Sequence, residues 1–202
     1  MPRLSPNHCQ RCARIFDASV GPTAWCGNCK NPPPAFDFAT AAFEANASTL
    51  NLIHQFKLLK HPELARDLAA IAAPSFQNEK RLQALVNPLL IPTPLHRSRL
   101  AERRFNQSDL LANFLSKTLE IPLCKALKRT RRTPRQATMR RKERLENVKN
   151  AFQLRVSPET LASRDLVLID DVLTTGSTAH ACAKALRVAK PRKIVVFTIV
   201  RA

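Results

Sequence analysis

Asp165-Leu166-Val167-Leu168-Ile169-Asp170-Asp171-Val172-Leu173-Thr174-Thr175-Gly176-Ser177-Thr178 is the stretch whose reading decides the fold. Leu166 to Ile169 is a short unbroken apolar run, the pattern of a strand buried on both faces of a parallel sheet. Asp170 and Asp171 close that predicted strand. Four hydroxyls then surround one glycine, Gly176. From Ala179 to Ala189 the alanine-rich sequence predicts a helix with Ala179, Cys182, Ala183 and Leu186 on one stripe. The order is strand, acidic pair, hydroxyl-rich turn, helix.

Each part of that order has a physical use. A turn feeding a helix N-terminus aims unpaired N–H groups and the positive end of the helix dipole at whatever lies in front. Phosphate suits that position, and the hydroxyls of Thr174, Thr175, Ser177 and Thr178 add donors. Gly176 permits close approach and a positive φ. Asp170 and Asp171 can hold ribose hydroxyls, or a Mg²⁺ ion bridging to phosphate. A plain helix cap needs neither two acids nor four hydroxyls.

Upstream, Leu89-Leu90-Ile91 reads as a second buried strand running into Pro92-Thr93-Pro94-Leu95-His96-Arg97-Ser98-Arg99, a rigid loop dense in donors. Cations at the carboxyl end of a parallel strand face the crevice where α/β folds bind ligands. Arg97 and Arg99, with His96, are therefore candidates for a pyrophosphate. The pattern further predicts helices over 48–60, with Ser48 as its cap, 62–72, 80–87 and 108–119. It also predicts strands over 36–43, 151–154 and 193–200, the first of them an extended edge. Cys124 and Cys182 sit in apolar settings as packing residues.

The first thirty residues carry Cys9-x2-Cys12 and Cys26-x2-Cys29. Two such knuckles suit four thiolates on one structural Zn²⁺, with no coordination position left open. A segment this short builds no core of its own, so the metal would supply its folding energy. A disulfide pair is the alternative, and a reducing compartment disfavours it. His8 reads as a bystander. Asn31 to Pro34 is a proline-rich break, which divides the chain into a zinc-ribbon module, 1–34, and a larger domain, 35–202.

Charge is the compositional outlier. The 202 residues carry 33 Lys or Arg against 15 Asp or Glu, a formal +18. Such an excess implies polyanionic company. Between Lys125 and Lys149 eleven Lys or Arg face two Glu, an excess of nine without a steady apolar period. Within it, Thr130 to Arg144 predicts a mobile basic loop. Aromatic residues make up 5% with no Tyr, so base stacking is poorly supported and any nucleic-acid contact would be electrostatic. No apolar run of about 18 residues occurs and no apolar leader opens the chain, so the expectation is a cytoplasmic protein without membrane insertion.

Taken together, Val167 to Thr178 resembles the phosphoribosyl-pyrophosphate (PRPP) signature of type I phosphoribosyltransferases. The whole chain is similar to the ComF family, phosphoribosyltransferase-like proteins of bacterial competence. The resemblance rests on the four cysteines, Phe56-Lys57, Pro92-x-Pro94-Leu95-His96, Arg103-x-Phe105-Asn106-Gln107, Gln136, Arg144-x2-Asn147, Ala151-Phe152 and Asp170-Asp171…Thr174-Thr175-Gly176. Two positions depart from the family pattern: Arg104 and Lys60 stand where glycine is usual.

The resemblance implies an α/β fold, a parallel sheet flanked by helices with a small N-terminal four-cysteine zinc ribbon. It implies PRPP or a related phosphoribosyl ligand with Mg²⁺: a 5′-phosphate cradle of Thr174, Thr175, Gly176, Ser177 and Thr178, ribose on Asp170 and Asp171, and pyrophosphate on Arg97 and Arg99. It further implies a role in natural competence, helping single-stranded DNA inward beside a helicase partner. Transfer of the phosphoribosyl group to an acceptor, or PRPP sensing without turnover, are the alternatives.

Overall fold

The apolar run at 166–169 sits where its composition demands, at the centre of a sheet covered on both faces. The computed structural model describes residues 1–16, 25–58, 61–132, 143, 146 and 148–202. Among them β1 (Phe38–Glu44), β2 (Leu89–Pro92), β5 (Asp165–Leu173) and β6 (Lys193–Arg201) form one parallel sheet in the order β1-β6-β5-β2. Ile91 pairs with Leu168, and Leu168 with Val196. The alternation of a strand then sorts the side chains. Val167, Ile169, Val195 and Phe197 face one core cluster, while Leu166, Leu168, Ile194 and Val196 face the other.

The first cluster lies under α2 (Ala47–Leu58), α3 (Leu64–Asn78) and α6 (Gln107–Leu119). Phe76 meets Phe197 edge-on there, ring centroids 5.1 Å apart. The second lies under α7 (Ser177–Leu186) and a hairpin of β3 (Leu127–Arg129) with β4 (Phe152–Leu154). The expected stripe of Ala179, Cys182, Ala183 and Leu186 is buried in it. Cys182 is fully buried and Cys124 packs partly against the same cluster, as expected of packing residues.

Several boundaries differ from the sequence pattern. The central strand does not close at the acidic pair but continues through it to Leu173, because β6 keeps offering partners: Asp170 pairs with Thr198 and Val172 with Val200. Asn46, not Ser48, caps α2, through a reciprocal pair in which Thr49 N donates to Asn46 Oδ1 and Asn46 N to Thr49 Oγ1, both at 2.8 Å. The helix expected to end near residue 72 runs to Asn78 through Pro74, held by its buried face from Ala65 to Phe76. The 80–87 helix is one turn, α4 (Lys80–Gln83).

The rigid loop expected at 92–99 turns helical at Arg97. It opens α5 (Arg97–Arg103), where His96 Nδ1 accepts from Ser98 N at 3.3 Å. β3 ends at Arg129, just before the expected basic loop, and most of that loop, 133–142 with Gln136 and Arg144, lies outside the described residues, as do Lys60 and Asn147. No helix among the described residues is long and apolar enough to cross a membrane.

Candidate functional site

The strand-to-helix turn has the backbone its glycine suggests. Gly176 sits at φ +76° immediately before α7. A Cβ there would meet Phe36 at 3.8 Å and Leu173 at 3.9 Å, ordinary contacts, so conformation and not space is what asks for glycine. The first helical bond runs from His180 N to Gly176 O at 2.8 Å, which leaves the N–H groups of Thr178 and Ala179 outside the helix ladder. Thr175 Oγ1 and Ser177 Oγ lie 2.9 Å apart. Ser177 is buried, Thr175, Gly176 and Thr178 are half-buried, and Thr174 is exposed. The arrangement can receive a phosphate-sized anion.

The acidic pair lies just behind that turn, with partners from two helices distant in sequence. Lys57 Nζ, from the last turn of α2, stands 2.8 Å from Asp171 Oδ1. Ser108 Oγ, from the first turn of α6, donates to Asp170 Oδ1 at 2.9 Å, and Asp171 N donates to the same oxygen at 3.0 Å. Burial, and then the adjacent Asp171 charge, raise the Asp170 carboxyl to about 7, against the opposing pull of Lys57 and Ser108. Lys57 enters the sequence reading only through a resemblance, and Ser108 only as the start of a helix. Neither position carries a local signal that points to Asp170 or Asp171.

Arg97 and the cradle line different cavities. Arg97 lines a cavity of about 400 Å³ with Pro92, Pro94, His96, Arg129 and Arg155. Thr174, Thr175 and Gly176 line a different one, of about 870 Å³, walled by Cys12, Cys29, Phe36, Lys184 and Arg201. Arg99 and Asp170 both act electrostatically on Arg129. Burial first, and then the Arg99 charge, lower the Arg129 guanidinium, while the Asp170 charge opposes the shift. Arg129 belongs to β3 and stacks 5.2 Å from the Phe152 ring. Its place in a run of cations hides it from sequence reasoning.

The cysteines converge. The sulfurs of Cys9, Cys12, Cys26 and Cys29 all lie within 4.8 Å of one another, and Cys12 and Cys26 are 3.6 Å apart. A tetrahedral zinc with bonds of about 2.3 Å spaces its sulfurs close to that. A hydrogen bond from Cys29 draws the Cys12 thiol down to about 5, and the same bond pushes Cys29 up. The residues therefore fit a structural Zn²⁺, which would be held by these four thiolates. His8 is outside the cluster, with Nδ1 on Ser5 O at 2.5 Å.

Arg201 is a further residue that the pattern misses. It is 6% exposed. Its Nε donates to Cys12 O at 3.0 Å, while Nη1 donates to Leu173 O at 2.7 Å and Thr174 O at 2.9 Å. One guanidinium thus joins the cysteine cluster to the turn.

The phosphoribosyl transferase domain model matches residues 107–202. Competence protein F of Haemophilus influenzae is 36% identical over 88% of this chain and 78% of its own length. DNA utilization protein YhgH of Escherichia coli O157:H7 is 37% identical over 80% of this chain and 70% of its own. Competence protein ComFC of Bacillus subtilis is 32% identical over 56% of this chain and 44% of its own. Among solved structures, the glutamine PRPP amidotransferase of B. subtilis aligns with 65% of this chain and 25% of its own at 16% identity, TM-score 0.40. A hypoxanthine phosphoribosyltransferase of Staphylococcus aureus aligns with 68% of this chain and 61% of its own at 15% identity, TM-score 0.35. On the strength of its relatives, this chain belongs to the competence protein F family.

Proposed function

We propose that this competence-related, phosphoribosyltransferase-like protein binds PRPP or a related phosphoribosyl ligand at the turn between β5 and α7. The observation that carries the reading is the left-handed Gly176, φ +76°, opening a ten-residue helix just past the strand that carries the acidic pair. The 5′-phosphate sits on the backbone and hydroxyls of Thr174 to Thr178, and the ribose hydroxyls meet Asp170 and Asp171. Mg²⁺ accompanies the pyrophosphate, whose cationic side is α5 with Arg97 and Arg99. The organisation is a zinc ribbon, 1–34, on a ligand-binding domain, 35–202. Calorimetry with PRPP and Mg²⁺ tests this: heat that Asp171→Asn weakens is expected, and no heat from the wild type would overturn it. Pyrophosphate released only when an acceptor is present would establish transfer, and its absence would favour a sensor.

The biological setting is DNA uptake and transformation in the cytoplasm, with single-stranded DNA held on the basic surface and a helicase as neighbour. The observation behind this reading is the formal +18, half of it the excess of nine between residues 125 and 149.

A further inference from the structure

The acidic pair already has a cation, and it belongs to the chain. Lys57 Nζ is 2.8 Å from Asp171 Oδ1, with the two side chains 25% and 9% exposed. The last turn of α2 is fixed there: Phe56, next in sequence, is fully buried, its ring centroid 5.8 Å from that of Phe105. On the other carboxylate, Oδ1 of Asp170 accepts from both Ser108 and the Asp171 amide. Three elements, α2, α6 and β5, therefore direct donors at the pair.

A Mg²⁺ ion held by carboxylates needs their oxygens at about 2.0–2.1 Å in near-octahedral order. An ammonium in contact with one of those oxygens opposes it twice, by taking the lone pair and by repelling a divalent charge. Inside a half-buried site that repulsion is only weakly screened.

We propose that Lys57 is the resident counter-ion of the acidic pair, so that Asp170 and Asp171 hold hydroxyls directly and take no divalent ion of their own. The metal that accompanies a pyrophosphate then enters and leaves with the ligand. Lys57 acts through Asp171, as a positioning residue that holds the carboxylate oriented. The proposal rests on the phosphoribosyl reading for its ligand, but its test contains no PRPP, so the two fail separately.

The probe is Mn²⁺, followed by electron paramagnetic resonance with the zinc-loaded full chain at low salt. Wild type and Asp171→Asn should leave the same fraction of Mn²⁺ free. Lys57→Met, which keeps the apolar stem, should bind Mn²⁺ at least about tenfold more tightly, the scale on which one adjacent unit charge acts. Lys57→Met/Asp171→Asn should lose that gain, and Lys57→Arg should behave as wild type. Wild-type Mn²⁺ binding that Asp171→Asn abolishes would overturn the proposal, as would a folded Lys57→Met with no gain. Should Lys57→Met fail to fold, the comparison of wild type with Asp171→Asn still decides.

Discussion

Arg201 Nε donates to the carbonyl of Cys12 at 3.0 Å, so a residue at the end of the central sheet holds a cysteine of the proposed zinc ribbon. The same guanidinium donates to Thr174 O at 2.9 Å, at the first residue of the proposed phosphate cradle. Loosening of the ribbon is therefore felt at the turn. Removing zinc with a strong chelator should lower both the melting temperature and the affinity for pyrophosphate or PRPP. Arg201→Met should do the same with zinc still bound, at a cost of about 3 kcal/mol, because three carbonyls, that of Leu173 buried, lose a charged donor. Metal analysis alongside denaturation checks it: unchanged ligand affinity in the zinc-free protein would disconnect the two.

Two left-handed residues carry opposite predictions. Gly176, at φ +76°, has room for a Cβ but not the conformation for one, so Gly176→Ala should cost about 1 kcal/mol and weaken phosphate binding. Arg104, at φ +68°, ends α5 in the same region with a full side chain, at the position where the family pattern has glycine. Arg104→Gly should relieve strain and stabilise by about 1 kcal/mol, which in a chain of this size raises the melting temperature by roughly 2–4 °C. Thermal melts of the two variants decide it, and a lower melting temperature for Arg104→Gly would mean that the arginine has contacts worth more than its strain.

How much of this was legible depends on whether the signal is local. β5 and α7 could be read because an apolar run, an acidic pair and a glycine turn are contiguous, and the cysteine knuckles because their spacing is a ligand set. α5 could not: it buries no side chain, so it has no apolar stripe, and Pro92 and Pro94 beside it speak for loop. The predicted final strand stops at Val200 because a charge ends an apolar run, yet the next residue, Arg201, turns inward to serve three carbonyls. Lys57 and Ser108 reach the acidic pair only through tertiary packing. Their partners are far away in the chain, and no periodicity encodes that meeting.

The basic stretch predicts a salt-dependent contact with single-stranded DNA. Each neutralised phosphate contributes a slope of about −0.7 in log affinity against log salt. Charge reversal at Arg131, Arg132, Arg140 and Arg141 should flatten that slope by several such increments while leaving PRPP affinity within about twofold. Fluorescence anisotropy across a salt series measures it. An unchanged slope would place the contact elsewhere.

Asp170 supplies a pH signature for the site. Its carboxyl is raised to about 7, chiefly by burial and then by Asp171. An acid raised in the folded state costs stability only once it ionises, so the penalty is absent below the ordinary carboxylate range of about 4. It grows as pH rises and is complete above about 7. Asp170→Asn removes that penalty while its side-chain oxygen can still accept from Ser108. In urea titrations the variant's stability advantage over wild type should be clearly larger at about pH 8 than at about pH 5. The same difference at both pH values would mean that Asp170 titrates as an ordinary carboxylate. In that case Lys57 and Ser108 would outweigh its burial.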